Sequence, residues 1–148
     1  KAHALNEIAL SKGAIARMIE FNVCINDIHM GYYRADGYLV STPTGSTAYA
    51  LSAGGPVVWP LMNLMLLSAI CPHTLDNRPM VIPADSEVRL ELCGERQDIF
   101  VSNDGQVGRN LQPGDSLLIK RTDFDTLLYV APGSNFFEHL RNKFGWGD

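Results

Sequence analysis

Short stretches of strand-forming residues follow one another at close spacing along the second half of the chain. They cover residues 80–83, 87–93, 99–102, 116–120 and 126–130, with Gly, Pro, Asn and Asp residues between them. Strands this close together, separated by turn residues, are typical of antiparallel sheets packed as a β-sandwich. The sequence therefore predicts a mainly β, antiparallel sandwich-like single domain over residues 1–148.

Alternating polarity marks further strands. Between residues 19 and 28, the apolar residues Ile19, Phe21, Val23 and Ile25 alternate with more polar ones, and residues 88–92 alternate apolar with charged. A period of two residues is typical of a half-buried strand with one face in water. A strand over residues 38–41 is also predicted, after the turn pair Asp36-Gly37.

Two helices are expected in this β domain. Residues 46–53 follow a break at 43–45 with hydroxyl residues that can cap a helix, and they run into two glycines that end it. Near the C-terminus, Asn135 is a predicted N-cap with Glu138 three residues on, before a helix with an apolar face. That face consists of Phe136, Phe137, Leu140 and Phe144.

Charge and apolar content exclude several classes of protein. Twelve Lys and Arg against sixteen Asp and Glu give a formal charge of −4 with no basic run, which disfavours nucleic acid as partner. The longest apolar stretch, residues 61–70, is shorter than the roughly 20 residues that span a bilayer, and no signal peptide is recognisable. The chain lacks an initiator Met, so we expect it to be part of something longer.

The three cysteines predict reduced thiols in a cytoplasmic protein. They are odd in number, widely spaced and never in a Cys-x-x-Cys pattern. Cys71 and His73 are two soft ligands, but no other Cys or His lies at zinc spacing. No metal site is predicted in this chain.

Residues 36–56 are the most informative segment. They place five hydroxyl side chains within seven positions around Pro43 and Gly45, namely Ser41, Thr42, Thr44, Ser46 and Thr47. Where a strand gives way to a helix, unpaired N–H groups and hydroxyls make a site for an oxyanion or a polar nucleotide edge. The alternative is that these are turn and capping residues only. The segment has neither the Lys of a P-loop nor the spacing of a dinucleotide fingerprint.

The same segment resembles the NAD kinase family. Asp-Gly is followed by Ser-Thr-Pro-Thr-Gly-Ser-Thr-Ala-Tyr and then by Ser-Ala-Gly-Gly-Pro. Further resemblances follow the family order: residues 5–7 (Leu-Asn-Glu), 72–75 with 78–79, 104–106 (Asp-Gly-Gln) and the Phe-rich ending from 135 to 147. The family's Gly-Gly-Asp-Gly motif, which helps hold ATP and supplies the proposed catalytic carboxylate, does not occur.

The resemblance implies the C-terminal, NAD-binding domain of an enzyme that transfers the γ-phosphate of ATP to the adenosine 2′-hydroxyl of NAD. The catalytic base is then expected upstream of Lys1, with no catalytic residue in this chain, and the fragment alone should be inactive. ATP and a divalent metal such as Mg would be held largely by the N-terminal half. Residues 133–148 would pack on that half, and the enzyme would be a cytoplasmic homo-oligomer, either a dimer or a tetramer.

The resemblance also implies which residues bind NAD. Asn6 and Glu7 offer the amide and carboxylate that suit a ribose diol; a capping Asn and a solvated Glu are the alternative. The resemblance implies that Thr47, Tyr49 and Ser52 bind the adenosine end of NAD, with Thr44 nearby. An aromatic face with hydroxyl groups fits a base, although Tyr49 as a core aromatic residue is the alternative.

At the nicotinamide end, the resemblance implies Asp36 as an acceptor, with Ala48 contributing. Arg34 is a candidate contact to phosphate or NADP, and Asp104 is brought towards the substrate. Their alternatives are a turn residue for Asp36, an exposed ion-paired arginine for Arg34 and a hairpin turn for Asp104.

Two other functions stay open. One is a non-catalytic NAD(P)-binding or regulatory module built on the same domain. The other is a lipid kinase of the wider superfamily, which Asn6-Glu7 and the polar run 44–49 disfavour, because a lipid substrate requires an apolar groove there.

Overall fold

Residues 1–15, 17–74, 77–95 and 98–146 are described by the structure, a computed structural model. In these residues ten strands form two antiparallel sheets. The strands are β1 (Glu7–Lys12), β2 (Ile19–Ile25), β3 (Ile28–Ala35), β4 (Gly37–Ser41), β5 (Leu64–Ile70), β6 (Met80–Pro83), β7 (Val88–Cys93), β8 (Ile99–Asn103), β9 (Gln106–Leu111) and β10 (Ser116–Ile119).

The sheets have six and four strands. Their orders are β6-β5-β4-β1-β8-β9 and β10-β7-β2-β3. One hydrophobic core draws on both, with Leu10, Tyr38 and Leu67 from the first sheet and Phe21 and Leu90 from the second. The predicted antiparallel, sandwich-like β fold is therefore confirmed.

Strand β2 follows its predicted alternation. Ile19, Phe21 and Val23 are fully buried, and the polar residues between Ile19 and Phe21 and between Phe21 and Val23 are half-buried. The strand ends at Ile25 rather than near residue 28, because Asn26 and Asp27 adopt positive φ angles of 50° and 62°. Two such residues form the tight turn that joins antiparallel neighbours, so β3 pairs directly with β2.

The sequence did not assign strands β1, β3, β5 and β9. The burial of β5 explains one of these cases: four consecutive residues, 65–68, are buried, with Met65 and Leu67 in the core between the sheets and Ser68 facing Gly55 on the other side. Burial on both faces removes the alternation on which the prediction depends.

The predicted strand at residues 126–130 is wrong. The structure assigns no strand there, and Leu127 and Tyr129 are almost fully exposed. Strand-forming side chains favour a strand only where a neighbouring strand and a packing surface are present.

The helix predicted at 46–53 is divided. A 3-10 turn covers Thr44–Thr47, and helix α1 covers Tyr49–Ser52. They are separated at Ala48, whose ψ angle of −131° is not helical. The predicted hydroxyl cap is wrong, because neither N-cap residue, Pro43 or Ala48, accepts a hydrogen bond with its side chain. Thr42 Oγ1, one residue earlier, accepts the Gly45 N–H at 3.1 Å, and Gly54 follows the helix with φ 81°.

The C-terminal helix, α2 (Phe136–Phe144), is confirmed with its cap. Asn135 Oδ1 accepts the Glu138 N–H at 2.9 Å, and Gly145 ends the helix in the left-handed conformation. No helix among the described residues is long and apolar enough to cross a membrane.

Helix α2 packs against the rest of the domain, where Leu140 is buried. Trp59 packs against Phe136 and Phe137 with ring centroids 5.2 and 5.5 Å apart, and Lys143 Nζ donates to the Thr47 carbonyl at 3.0 Å. Phe137 is still 58% exposed. Packing of 133–148 on another half of the protein stays a prediction; residues 147–148 and residue 75 of the family-like segment 72–75 lie outside the described residues.

Candidate functional site

The Asn-Glu segment and the hydroxyl-rich turn meet at one end of the six-stranded sheet. In the β1–β4 pairing Glu7 faces Ser41, just before the turn begins. The carbonyl of Asn6 accepts the Thr42 N–H at 2.8 Å and the Ser41 Oγ–H at 3.1 Å, and Thr42 Oγ1 donates to the Leu5 carbonyl at 2.6 Å. Two motifs about 35 residues apart in sequence thus form one unit.

Glycine at position 45 makes this contact sterically possible. A Cβ there would lie 2.6 Å from the carbonyl carbon of Asn6 and 2.5 Å from Ser41 Oγ. Both distances are far below ordinary van der Waals contact, so a side chain would separate the turn from β1.

Three of the five hydroxyls stabilise the turn. Ser41 and Thr42 bond to the backbone of residues 5 and 6, while Ser46, fully buried, accepts the Val58 N–H at 3.0 Å. For these three residues the turn-and-cap interpretation is correct. Thr44 and Thr47 are half-buried near the surface of the same turn, where Thr47 Oγ1 donates to the Thr44 carbonyl at 3.4 Å.

Tyr49 is a surface residue and not a core aromatic. It is 44% exposed, and with Ser52 it lines a pocket of about 200 Å³. The remaining wall comes from the end of β5 and the following loop, including Ile70, Cys71 and Pro72. An aromatic ring, a hydroxyl and apolar walls suit a planar base. The pocket volume is below the ≈ 300–1,000 Å³ that is usual for a site enclosing a whole ligand, so the pocket suits only part of one.

A second, more open cleft of about 460 Å³ lies beside the first. Arg34, His73 and Tyr33 are among the residues that line it, and Asn77 lines both cavities. The two cavities are therefore neighbours.

Glu7 is buried beneath α1. It is 6% exposed, its carboxylate accepts the backbone N–H of Tyr49, and its Oε2 has no hydrogen-bond partner among the described residues. Burial raises the pKa of the Glu7 carboxyl above its ordinary value, the charge of Asp104 raises it further, and the Tyr49 N–H lowers it. The solvated-Glu alternative is excluded.

Asp104 occupies a hairpin turn and also reaches the Asn-Glu segment. Asn103 pairs with Gln106, so Asp104 and Gly105 form a two-residue turn with positive φ angles of 49° and 74°. The Asp104 carboxylate accepts N–H groups from residues 5, 6 and 7. The hairpin prediction is confirmed, and Asp104 lies next to Asn6.

Asp36 lies at the opposite end of β4 from Ser41. The two residues are five positions apart along the strand, or roughly 17 Å, so Asp36 is not brought together with Asn6 and Glu7. Its carboxylate pairs with Lys12 Nζ at 3.0 Å, and its N–H donates to the carbonyl of Ile70, a residue of the Tyr49 pocket.

Arg34 has an intramolecular partner. Its Nε lies 3.2 Å from a carboxylate oxygen of Glu20, and half of its side chain is exposed. The ion-paired alternative is therefore present in the structure, together with a position in the second cleft.

The sequence did not single out Lys12 or Cys71 as parts of the site. Lys12 reaches Asp36 because Ser11 pairs with Gly37 across β1 and β4, a register that no local pattern reveals. Cys71 has a positive φ angle of 45° and follows the last residue of β5. Both positions depend on the long-range order of the sheet.

The carboxylates of the site do not fit a magnesium ion. Asp104 is engaged by three N–H groups, Asp36 by Lys12, and Glu7 is buried against Tyr49. Magnesium requires several oxygen ligands in octahedral geometry. Within the described residues no three His, Cys, Asp or Glu side chains come close enough together to hold a metal ion.

The fold and the site define a two-sheet antiparallel domain with two neighbouring cavities, one of them lined by the helix that follows a hydroxyl-rich turn. The family model of the ATP-NAD kinase C-terminal domain matches residues 5–130, which include all ten described strands and every site residue discussed above. The chain belongs to this family.

Curated relatives agree with the family match. The chain is 44% identical over 144 residues to an NAD kinase from Gemmatimonas aurantiaca, covering 97% of this chain and 50% of the relative. It is 42% identical over 144 residues to an NAD kinase from Geobacter metallireducens, covering 97% and 51%. The chain spans about half the length of the curated relatives it matches.

Solved structures share the fold. Yeast NADH kinase complexed with NADH superposes with a TM-score of 0.88 at 27% identity, covering 99% of this chain and 45% of that one. An NAD kinase from Archaeoglobus fulgidus in complex with ATP gives a TM-score of 0.72 at 31% identity, covering 82% and 46%.

Proposed function

We propose that the chain is the NAD-binding C-terminal domain of an NAD kinase, which transfers the γ-phosphate of ATP to the adenosine 2′-hydroxyl of NAD. The observation that carries the proposal is the junction of two elements. The turn that presents Tyr49 and Ser52 to a base-sized pocket is bonded directly to the Asn6-Glu7 segment. One bonded unit thus carries both an amide, from Asn6, and an aromatic ring, from Tyr49, which supports recognition of the ribose and the base of an adenosine.

The adenosine end of NAD occupies the Tyr49 pocket in this proposal. Tyr49 provides the aromatic face, and Thr44, Thr47 and Ser52 provide hydroxyls to the base and ribose. Asn6 binds the ribose diol with its side-chain amide. Glu7 belongs to this end as well, and its burial supports contact with the ribose or with Tyr49 more than contact with solvent.

The nicotinamide end extends along the surface toward the second cleft. Asp36 accepts hydrogen bonds there, and Ala48, the residue before α1, contributes to the same end. Arg34 offers a cation to a phosphate group. Asp36 is roughly 17 Å from the Asn6 end, so the proposal assigns the two residues to different parts of NAD.

ATP and its divalent metal are held by the part of the parent protein outside this chain. The relatives are about twice as long as the chain, and its own carboxylates are engaged by N–H groups or by Lys12. Phosphoryl transfer depends almost entirely on positioning and electrostatics. This chain contributes the position of the acceptor hydroxyl.

The parent is proposed to act in the cytoplasm as a homo-oligomer. Three free thiols, Cys24, Cys71 and Cys93, support a reducing compartment. Met80 and Val81 on the edge strand β6 are about half exposed, and an apolar edge of this kind favours contact with another subunit.

The test is a kinase assay on the parent protein with NAD, ATP and Mg, in which NADP is detected by a coupled dehydrogenase. We expect NADP to form from NAD. A 2′-deoxyadenosine analogue of NAD serves as the matched control, and it should bind without consuming ATP. Binding of NAD without any NADP formation by the folded parent would support the non-catalytic module instead.

A further inference from the structure

The carboxylate of Asp104 receives three backbone N–H groups in succession. Oδ2 accepts the Leu5 N–H at 2.7 Å, and Oδ1 accepts those of Asn6 and Glu7 at 2.7 and 3.1 Å. In return, the Asp104 N–H donates to the Glu7 carbonyl at 3.1 Å. Hydrogen bonds to an ionised carboxylate are roughly twice as strong as neutral ones.

These bonds hold a segment that the sheet itself does not pair. Strand β1 begins at Glu7, so the N–H groups of Leu5 and Asn6 lie before the ladder. Backbone donors require a partner, and Asp104 supplies it from a position about 98 residues away in the chain.

The other side of the same segment bonds to the hydroxyl-rich turn. The Leu5 carbonyl accepts from Thr42 Oγ1, and the Asn6 carbonyl accepts from Thr42 N–H and Ser41 Oγ. The segment is therefore fixed between Asp104 and the turn. Because the backbone of Asn6 is bonded on both sides, the direction of its side-chain amide depends on both.

We propose that Asp104 is a positioning residue, which fixes the Asn6-Glu7 backbone relative to the nucleotide turn and acts on the reaction through Asn6. The proposal rests on the proposed function, and it differs from the expectation that Asp104 binds the substrate. Asp104 lies at the surface, so the experiment must distinguish this positioning role from a direct contact between Asp104 and the substrate.

Positioning and binding have different kinetic consequences. A displacement of about 1 Å in a reacting group can cost on the order of 10²-fold in rate, even when the substrate is still bound. Loss of a substrate contact raises the dissociation constant for NAD. Loss of the Asp104 bonds should instead lower kcat with little change in NAD affinity.

The variants are Asp104→Asn and Asp104→Ala in the parent protein. Asparagine keeps one acceptor oxygen but places an NH2 group against one of the backbone donors, whereas alanine removes all three bonds. We expect kcat to fall at least about tenfold in Asp104→Asn and further in Asp104→Ala. The dissociation constant for NAD, from calorimetry, should stay within about threefold of the parental value.

Asp115→Asn is the matched control. The Asp115 carboxylate also accepts a backbone N–H in a turn, from Gln112 at 2.9 Å, but it lies at the four-stranded sheet before β10. The kcat of the Asp115→Asn variant should equal that of the parent protein. Unchanged kcat in both Asp104 variants, or a rise in the NAD dissociation constant that accounts for the whole loss of kcat/KM, would overturn the proposal.

Two measurements do not require activity. Amide hydrogen exchange at Leu5 and Asn6 should accelerate at least about tenfold in Asp104→Asn, while exchange in β2 stays unchanged. In the wild-type parent, the carboxyl carbon resonance of Asp104 should not move when NAD binds; a clear shift would indicate substrate contact and contradict the proposal. If the parent forms no NADP, the proposed function fails, and these two measurements still decide the role of Asp104.

Discussion

The backbone of Gly45 lies directly against the carbonyl group of Asn6. A Cβ at position 45 would be 2.6 Å from the Asn6 carbonyl carbon, and the neighbouring hydroxyls of Ser41 and Thr42 bond to the same short segment. The absence of a side chain at one residue thus sets the distance between the turn and the strand that carries Asn6. Nucleotide geometry in the proposed site depends on this distance.

Substitution of Gly45 by alanine should lower the free energy of unfolding. The added methyl group overlaps backbone atoms that cannot rotate away, and overpacking of this kind costs about 1–3 kcal/mol or more. Urea denaturation of the chain measures the loss. Gly31→Ala is the matched control, because its Cβ would lie 3.5 Å from Tyr33 Cε2, an ordinary contact, and the change should stay within about 0.5 kcal/mol. Equal losses in the two variants would contradict the role assigned to Gly45.

Tyr49→Ala should weaken dinucleotide binding by about 1–3 kcal/mol, the range for an aromatic residue that stacks on a base. Because Tyr49 is 44% exposed, we expect the fold to survive the change. Calorimetry with NAD on the parent protein measures the affinity. Tyr49→Phe keeps the ring and should bind NAD within about threefold of the parent. An unchanged affinity in a folded Tyr49→Ala variant would exclude the pocket as the base site.

Local signals in the sequence predicted the elements that depend on local chemistry. The alternation in β2, the Asn103-Asp104-Gly105 turn and the Asn135 cap of α2 each follow from neighbouring residues. The hydroxyl-rich segment was also found correctly as a junction of strand and helix, because Pro and Gly restrict the backbone there.

Long-range contacts were not predictable in the same way. Asp104 bonds to Asn6 across 98 residues, and Lys12 meets Asp36 only through the β1–β4 register. Residues 126–130 have the composition of a strand, but no neighbouring strand pairs with them, so the predicted strand is wrong. The resemblance supplied residue types for the site, whereas the burial of Glu7 required the packed sheet.

Glu7→Gln should change how stability depends on pH. The folded state raises the Glu7 pKa above 4.5, mainly through burial and then through the charge of Asp104, so it binds the proton more tightly than the unfolded chain does. The contribution of protonated Glu7 is therefore complete below about pH 4.5 and is lost as the pH rises through the folded pKa. Each unit of difference between the folded and unfolded pKa corresponds to about 1.4 kcal/mol in the free energy of unfolding.

Glutamine is neutral at every pH and keeps an acceptor for the Tyr49 N–H. Compared with wild type, the variant should gain free energy of unfolding between about pH 4.5 and neutral pH, with little difference below that range. Urea unfolding of both proteins across this range measures the difference. A variant that loses relative stability as the pH rises would show that the ionised carboxylate is stabilised in the fold.

Asn6→Ala and Asp36→Ala, made in the parent protein, should each lower kcat/KM for NAD at least about tenfold, or about 1.4 kcal/mol of transition-state stabilisation. Each removes a polar group proposed for one end of NAD. Because Asp36 also pairs with Lys12, Lys12→Gln is the control: it removes the ion pair and leaves the carboxylate in place. Parental kcat/KM in both alanine variants would exclude the two assignments, and an equal loss in Lys12→Gln would attribute the Asp36 effect to the ion pair.

The 148-residue chain by itself should not make NADP from NAD and ATP. Phosphoryl transfer requires the γ-phosphate, the metal and the acceptor hydroxyl to be held in line. The chain has no Gly-Gly-Asp-Gly motif, and its hydroxyl-rich turn is assigned to NAD. Of the three carboxylates near the proposed site, Glu7 is buried against Tyr49, Asp36 is paired with Lys12, and Asp104 holds three N–H groups.

The measurement is incubation of the purified chain with NAD, ATP and Mg, followed by a coupled dehydrogenase assay for NADP. The parent protein under the same conditions is the positive control, and calorimetry with NAD shows whether the isolated chain still binds its substrate. Binding without turnover is the result expected of a domain that positions only the acceptor. Turnover by the chain near the typical enzyme range of about 1–10³ per second would mean that an ATP site and a base are already present in these 148 residues. One of the three engaged carboxylates would then have to release its present partners during the reaction.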